Sequence, residues 1–218
     1  LSWNSLGIIA WERGDYDEAV ADINRAVAIW RNPDGAQSLS GGLYNLGMVL
    51  HSAGRDAEAL VALDEARRLR VERYGASSVL VGDTDRLIGD ILLAQGRTQA
   101  AGTRLARALA LARIGYPENH PRRLDTELSM AHFLARSGQA TKALPLLDAL
   151  GKHTGKGSQG PTLRWRARAY AAEARCSLDQ AARGRADLDA LLAELRRLQP
   201  DGGTIPREVQ EIRDACTP

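Results

Sequence analysis

The chain has 218 residues, 44% of them hydrophobic and 26% charged, with a formal net charge of +2. That is long enough to bury a sizeable core, and the charge is too small to mark a nucleic-acid footprint or a membrane surface. No apolar run approaches the length that crosses a bilayer, and no signal-peptide pattern is visible.

Alanine, leucine, arginine and glutamate fill the sequence, all good helix formers. Phe133 is the single phenylalanine and β-branched residues are sparse, so no segment reads as a run of strands. Leu1 already lies inside a helical pattern, and the chain is expected to be a portion cut from a longer protein.

Along the first 150 residues one unit recurs. Gly14, Gly54, Gly96 and Gly138 are separated by steps of 40, 42 and 42 residues. Seven positions before each glycine stands a small residue: Gly7, Gly47, Gly89 and Ala131. Five positions after each glycine stands alanine: Ala19, Ala59, Ala101 and Ala143. Four further on come Ile23, Leu63, Leu105 and Leu147. Apolar residues three and four apart on both sides of each glycine describe a helical hairpin, closed by a glycine that takes positive φ without cost. The small residues let the paired helices approach closely. The pattern predicts helices over 1–13, 16–30, 40–53, 56–73, 78–95, 98–114, 120–137 and 140–150. One hairpin cannot cover its own apolar face, so neighbours must stack.

After Leu150 the pattern weakens. Residues 151–160 (GKHTGKGSQG) read as a flexible glycine- and lysine-rich loop. Helical periodicity returns at Pro161 and runs to Cys176, and Gly184 is expected to separate it from a second amphipathic run ending at Leu198. A last helix, from about Ile205 to Ala215, is expected to cap the array. Cys176 and Cys216 carry no metal-ligand spacing. They are read as two unrelated thiols, with a disulfide tying the C-terminal segment to an earlier helix as the alternative.

Trp3, Leu6, Gly7, Ala10, Tyr16, Ala19, Ile23 and Ala26 follow the spacing of tetratricopeptide repeats, which this chain resembles. Its 42-residue period is longer than that family's usual unit and is similar to the variant of kinesin light chains and many bacterial signalling proteins. Residues 114–121 (IGYPENHP) resemble that variant's glycine-to-His-Pro connection, and Ala143-Leu144-Pro145-Leu146 resembles its second helix. The resemblance implies an all-α fold, a right-handed solenoid of about five stacked helical hairpins with a C-terminal capping helix. The hairpins are expected at about 1–39, 40–77, 78–119 and 120–150, then the loop at 151–160 and a degenerate fifth pair with its cap at 161–218.

The same resemblance implies a concave face, lined by first helices, that binds a peptide or partner domain. The matching positions are Asn4, Ile8 and Trp11, then Tyr44, Asn45, Met48 and His51. The third unit contributes Arg86, Asp90 and Leu93, and the fourth Leu128, His132 and Arg136. An amide such as Asn45 offers donor and acceptor to a peptide backbone, and Trp11, Tyr44 and Met48 are apolar anchor types. Each has a plainer reading: Trp11 as packing, Arg86 as ion pairs with Asp83 and Asp90, Asn45 as a solvated or capping amide.

The segment Gly151–Ser158 lacks the spacing, the serine or threonine, and the preceding strand of a phosphate-binding loop. No HExxH, GxSxG or His/Cys cluster occurs. The arginines after residue 160 alternate with Glu173, Asp179, Asp187, Asp189 and Glu194, as on solvated helix faces. The chain is therefore expected to be no enzyme, to need no cofactor, and to bind protein or peptide, without nucleic acid or membrane insertion. The parent protein is expected to be a bacterial signalling protein such as a serine/threonine kinase, with this chain as its regulatory part. A spacer or dimerisation arm, self-associating through the open N-terminal end, is the alternative. The location is cytoplasmic by default, or periplasmic if this is the outer half of a receptor kinase.

Overall fold

The computed structural model describes residues 2–32, 35–153, 159–198 and 203–216. Among them it has eleven α-helices and no strand: α1 (Trp3–Arg13), α2 (Tyr16–Trp30), α3 (Ala36–Ser52), α4 (Asp56–Tyr74), α5 (Val79–Ala94), α6 (Thr98–Gly115), α7 (Pro121–Arg136), α8 (Ala140–Gly151), α9 (Gln159–Cys176), α10 (Ala181–Leu198) and α11 (Thr204–Ala215). The chain divides into two compact units, Leu1–Gly115 and Tyr116–Pro218.

The turn glycines act as their spacing predicts. Gly14, Gly54, Gly96 and Gly138 have φ of 88°, 75°, 73° and 79°, the left-handed region that a Cβ disfavours. The next residue in each turn donates its N–H back into the finished helix: Asp15 to Ala10 O, Arg55 to Leu50 O, Arg97 to Leu92 O and Gln139 to Leu134 O. Four turns thus stop a helix with one hydrogen-bond pattern and satisfy carbonyls that would otherwise be orphaned.

Inside each hairpin the small residues mark the crossing. A Cβ built on Gly7 would sit 2.5 Å from Ile23 Cγ1, one on Gly47 2.5 Å from Leu63 Cγ, and one on Gly89 2.7 Å from Leu105 Cγ. Ala19, Ala59, Ala101 and Ala143 are fully buried opposite them, as are Ile23, Leu63, Leu105 and Leu147. Within the first unit α1 through α6 pack in sequence order, and α3 also touches both α1 and α5. Hairpin therefore stacks on hairpin.

In the second unit α9 is the central helix. Leu163, Ala167, Ala171 and Ala174 pack toward α7 and α8. Ala169 and Ala172, on its other side, join Leu188, Leu191, Leu195 and Val209 of α10 and α11. Alanine lets one helix be covered on two sides at short range.

Four features differ from the sequence reading. α3 begins at Ala36, four residues early, and α9 begins at Gln159, inside the expected loop, of which residues 154–158 lie outside the described residues. Gly184 does not separate two helices. It lies in α10 at the crossing with α9, where a Cβ would meet Ala172 O at 2.6 Å, and the turn is instead made by residues 177–180. Cys176 and Cys216 are not unrelated thiols: a disulfide joins the end of α9 to the residue after α11.

Candidate functional site

The connection before α7 shows how local sequence aims this surface. Pro121 occupies the first turn of α7, where its missing N–H costs nothing. His120 caps the helix, its Nδ1 accepting from Arg122 N at 3.3 Å, while its ring stacks on Tyr116 at 4.2 Å.

The odd-numbered helices of the first unit are joined by side chains about one repeat apart. Asn45 Nδ2 donates to Asn4 Oδ1 at 3.0 Å, across 41 residues. Trp11 Nε1 donates to Ser52 Oγ at 2.8 Å, also across 41. Arg86 reaches the Tyr44 hydroxyl at 3.4 Å, across 42, and pairs with Asp90 at 2.8 Å on its own helix. His51 instead turns to Asp56 at the hairpin turn, with Nδ1 2.6 Å from Oδ1. Asn4, Ile8, Trp11, Asn45, Met48, His51, Arg86 and Asp90 are all half-buried, so each keeps some surface.

Three of the expected contact residues do not. Tyr44, Leu93 and Leu128 are buried in the core. The Tyr44 ring carries the Arg70 guanidinium 4.6 Å from its centroid, so its face is already occupied. As partner contacts these three positions are corrected to packing residues.

The second unit repeats the device. His132 Nε2 lies 2.9 Å from Glu173 Oε2, and its ring stacks on Tyr170 with centroids 3.7 Å apart. Arg136, which is exposed, comes to 3.8 Å of Glu173. Tyr170 donates its hydroxyl to Glu208, and Arg166 Nε donates to the same carboxylate at 2.8 Å. Burial pushes the Glu208 carboxyl up, but the Arg166 charge and the Tyr170 hydroxyl outweigh it and hold it below the usual glutamate range. Arg166 is correspondingly raised, against burial, by Glu208.

A group missed in the sequence lies between α4, α5 and α6. Asp85 is fully buried, and its Oδ1 accepts from Arg67 Nε at 2.7 Å and Arg104 Nη1 at 2.6 Å. Its Oδ2 accepts no hydrogen bond and has Arg107 Nε at 3.6 Å. The signal was present: Asp85 stands where the preceding unit has Leu43, 42 residues earlier.

Among the described residues there is no group of three or more His, Cys, Asp or Glu able to hold a metal ion, and no helix long and apolar enough to cross a membrane.

Two family profiles, both described as tetratricopeptide repeat, match residues 38–114 and 2–32. The chain belongs to the tetratricopeptide-repeat family. Solved structures agree on the fold. The crystal structure of nearly identical TPR-like repeats of a Podosopora anserina protein assigned as a kinesin light chain is 18% identical. It matches with a TM-score of 0.60 over 90% of this chain and 95% of that one. A single-substitution variant of the same protein is 19% identical and matches at 0.62 over 91% and 95%. No curated protein matches the chain by sequence. The first unit thus holds three tetratricopeptide hairpins, and repeats of this family imply a scaffold for protein–protein interaction.

Proposed function

We propose that the chain holds an extended peptide of a partner protein along the face shared by α1, α3 and α5. The observation that supports this is the amide pair. Asn45 and Asn4 spend one donor and one acceptor on each other, which leaves Asn45 Oδ1 and Asn4 Nδ2 to bond a peptide backbone. Half-buried Ile8, Trp11 and Met48 flank them as apolar contacts, and Arg86 and Asp90 extend the row with charge. Arg136 and His132 place a similar row on α7 in the second unit.

The resemblance to the 42-residue variant supports a regulatory or scaffolding role within a larger bacterial signalling protein. The Cys176–Cys216 disulfide supports an oxidising compartment over the cytosol, where thiols are kept reduced.

The test is selection of a displayed random-peptide library on the purified chain, followed by titration of the selected peptides. Asn4→Ala with Asn45→Ala is expected to weaken them about tenfold, the equivalent of about 1.4 kcal/mol. Equal affinity in the double variant would refute this face.

A further inference from the structure

Two successive interfaces in the first unit are built on one backbone plan and carry opposite chemistry. In the earlier one α2 packs on α3 through apolar groups: Val27 and the Trp30 ring close over Gly42, where an added Cβ would meet Trp30 Cζ3 at 2.6 Å. Leu43 lies buried beside them, and the groove toward α4 is lined by Leu43 and Ala62, with Arg31 and Glu65 paired at 2.8 Å on its rim. One repeat later these register positions hold Arg67 for Val27, Arg70 for Trp30, Thr84 for Gly42 and Asp85 for Leu43. Arg104 stands for Ala62 and Arg107 for Glu65. The geometry follows the exchange, since Arg70 Nη1 now donates to Thr84 Oγ1 at 2.8 Å where the tryptophan had lain on the glycine.

The exchange does not balance its charge. Arg67, Arg104 and Arg107 converge on the single carboxylate of Asp85, three guanidinium groups to one acid. A buried acid needs one good guanidinium partner, and the second and third add repulsion unless another anion shares them. The three arginine side chains are 22%, 34% and 41% exposed, a series that runs from the buried acid out to solvent.

We propose that this cationic cluster, Arg67 on α4 with Arg104 and Arg107 on α6, is a second docking site, separate from the α1–α3–α5 face, and that it takes an acidic side chain of a partner polypeptide. The incoming carboxylate sits at the solvent edge between Arg104 and Arg107, completing around the guanidinium forks what Asp85 supplies from below. Arg67 and Arg104 already donate to one carboxylate, that of Asp85. An acidic peptide fits better than a nucleic acid, because the patch is short. On α4 it is bounded by Glu65, engaged by Arg31, and by Glu72, engaged by Arg68 at 2.7 Å.

The test uses a fluorescein-labelled peptide of alternating glutamate and alanine, followed by anisotropy against the whole chain. Binding at low salt that weakens at about 0.5 M sodium chloride is expected. The variant Asp85→Leu/Arg104→Ala/Arg107→Glu gives this interface residues of the preceding one, and is expected to keep its helical circular dichroism and bind at least about tenfold more weakly. Arg107→Gln, the most exposed of the three, keeps a side chain that can still donate to Ala76 O; it is expected to weaken binding about threefold and carries the test should the triple variant misfold. Arg31→Gln on the earlier groove should leave the affinity unchanged. No binding by the native chain, undiminished binding by both the triple variant and Arg107→Gln, or equal binding of a single-stranded oligonucleotide of matching charge would each overturn the proposal.

Discussion

Cys216 is bonded to Cys176 across 40 residues, so the end of α11 is fixed to the end of α9, two helices back. Between them run α10 and α11, and Ile205 and Val209 of α11 are buried on the core that Leu188 and Leu195 build. The disulfide therefore closes the C-terminal side of the second unit.

Reduction, or Cys216→Ser, should destabilise that unit by about 4 kcal/mol on the chain-entropy account of a loop this long. Urea unfolding with and without reductant checks the value. Protein unfolded without reductant should take up no alkylating reagent.

Gly41 and Gly47 share α3 but should respond oppositely to alanine. A Cβ on Gly41 meets nothing within 4 Å, so Gly41→Ala should stabilise by about 0.5–1 kcal/mol through helix propensity. A Cβ on Gly47 would sit 2.5 Å from Leu63 Cγ, and Gly47→Ala should lose about 1–2 kcal/mol net. Urea midpoints of the two variants give the comparison.

Asp85→Ala should be worse than either. It strips the carboxylate from three arginines and leaves their charges to repel one another, at a cost of about 3 kcal/mol. Adding Arg104→Ala to it should recover part of the loss, a sign that the penalty is electrostatic.

Acid should loosen α11. The Glu208 carboxyl is held below its unfolded value, so its contribution is present above the ordinary glutamate range and is lost as pH falls through the folded-state value. Thermal melts of the native chain should fall more steeply below about pH 4.5 than those of Glu208→Gln, which lacks that titration.

The hairpins were legible because their determinants are local and recur. A glycine forced to positive φ, a small residue at the crossing and an alanine opposite it each have one explanation, and the period exposes them four times over. Gly184 was misread because a glycine in an irregular unit fits a turn and a close crossing equally well by spacing. Tyr44, Leu93 and Leu128 were placed on the surface because register along a helix says which way a residue points, not how far the neighbouring helix reaches over it. The Asp85 cluster was hidden for another reason: its arginines come from α4 and α6, 18 and 19 residues away for the two that hydrogen-bond, and each alone resembles a solvated charge. The disulfide depended on α11 folding back beside α9, which spacing does not encode.

Hydrogen–deuterium exchange of the chain with and without a library-selected peptide tests the docking face most directly. Slowed exchange concentrated in α1, α3 and α5, and reduced in the Asn4→Ala/Asn45→Ala variant at the same peptide concentration, is the predicted result. Protection confined to the even-numbered helices, or none anywhere with the peptide bound, would contradict it.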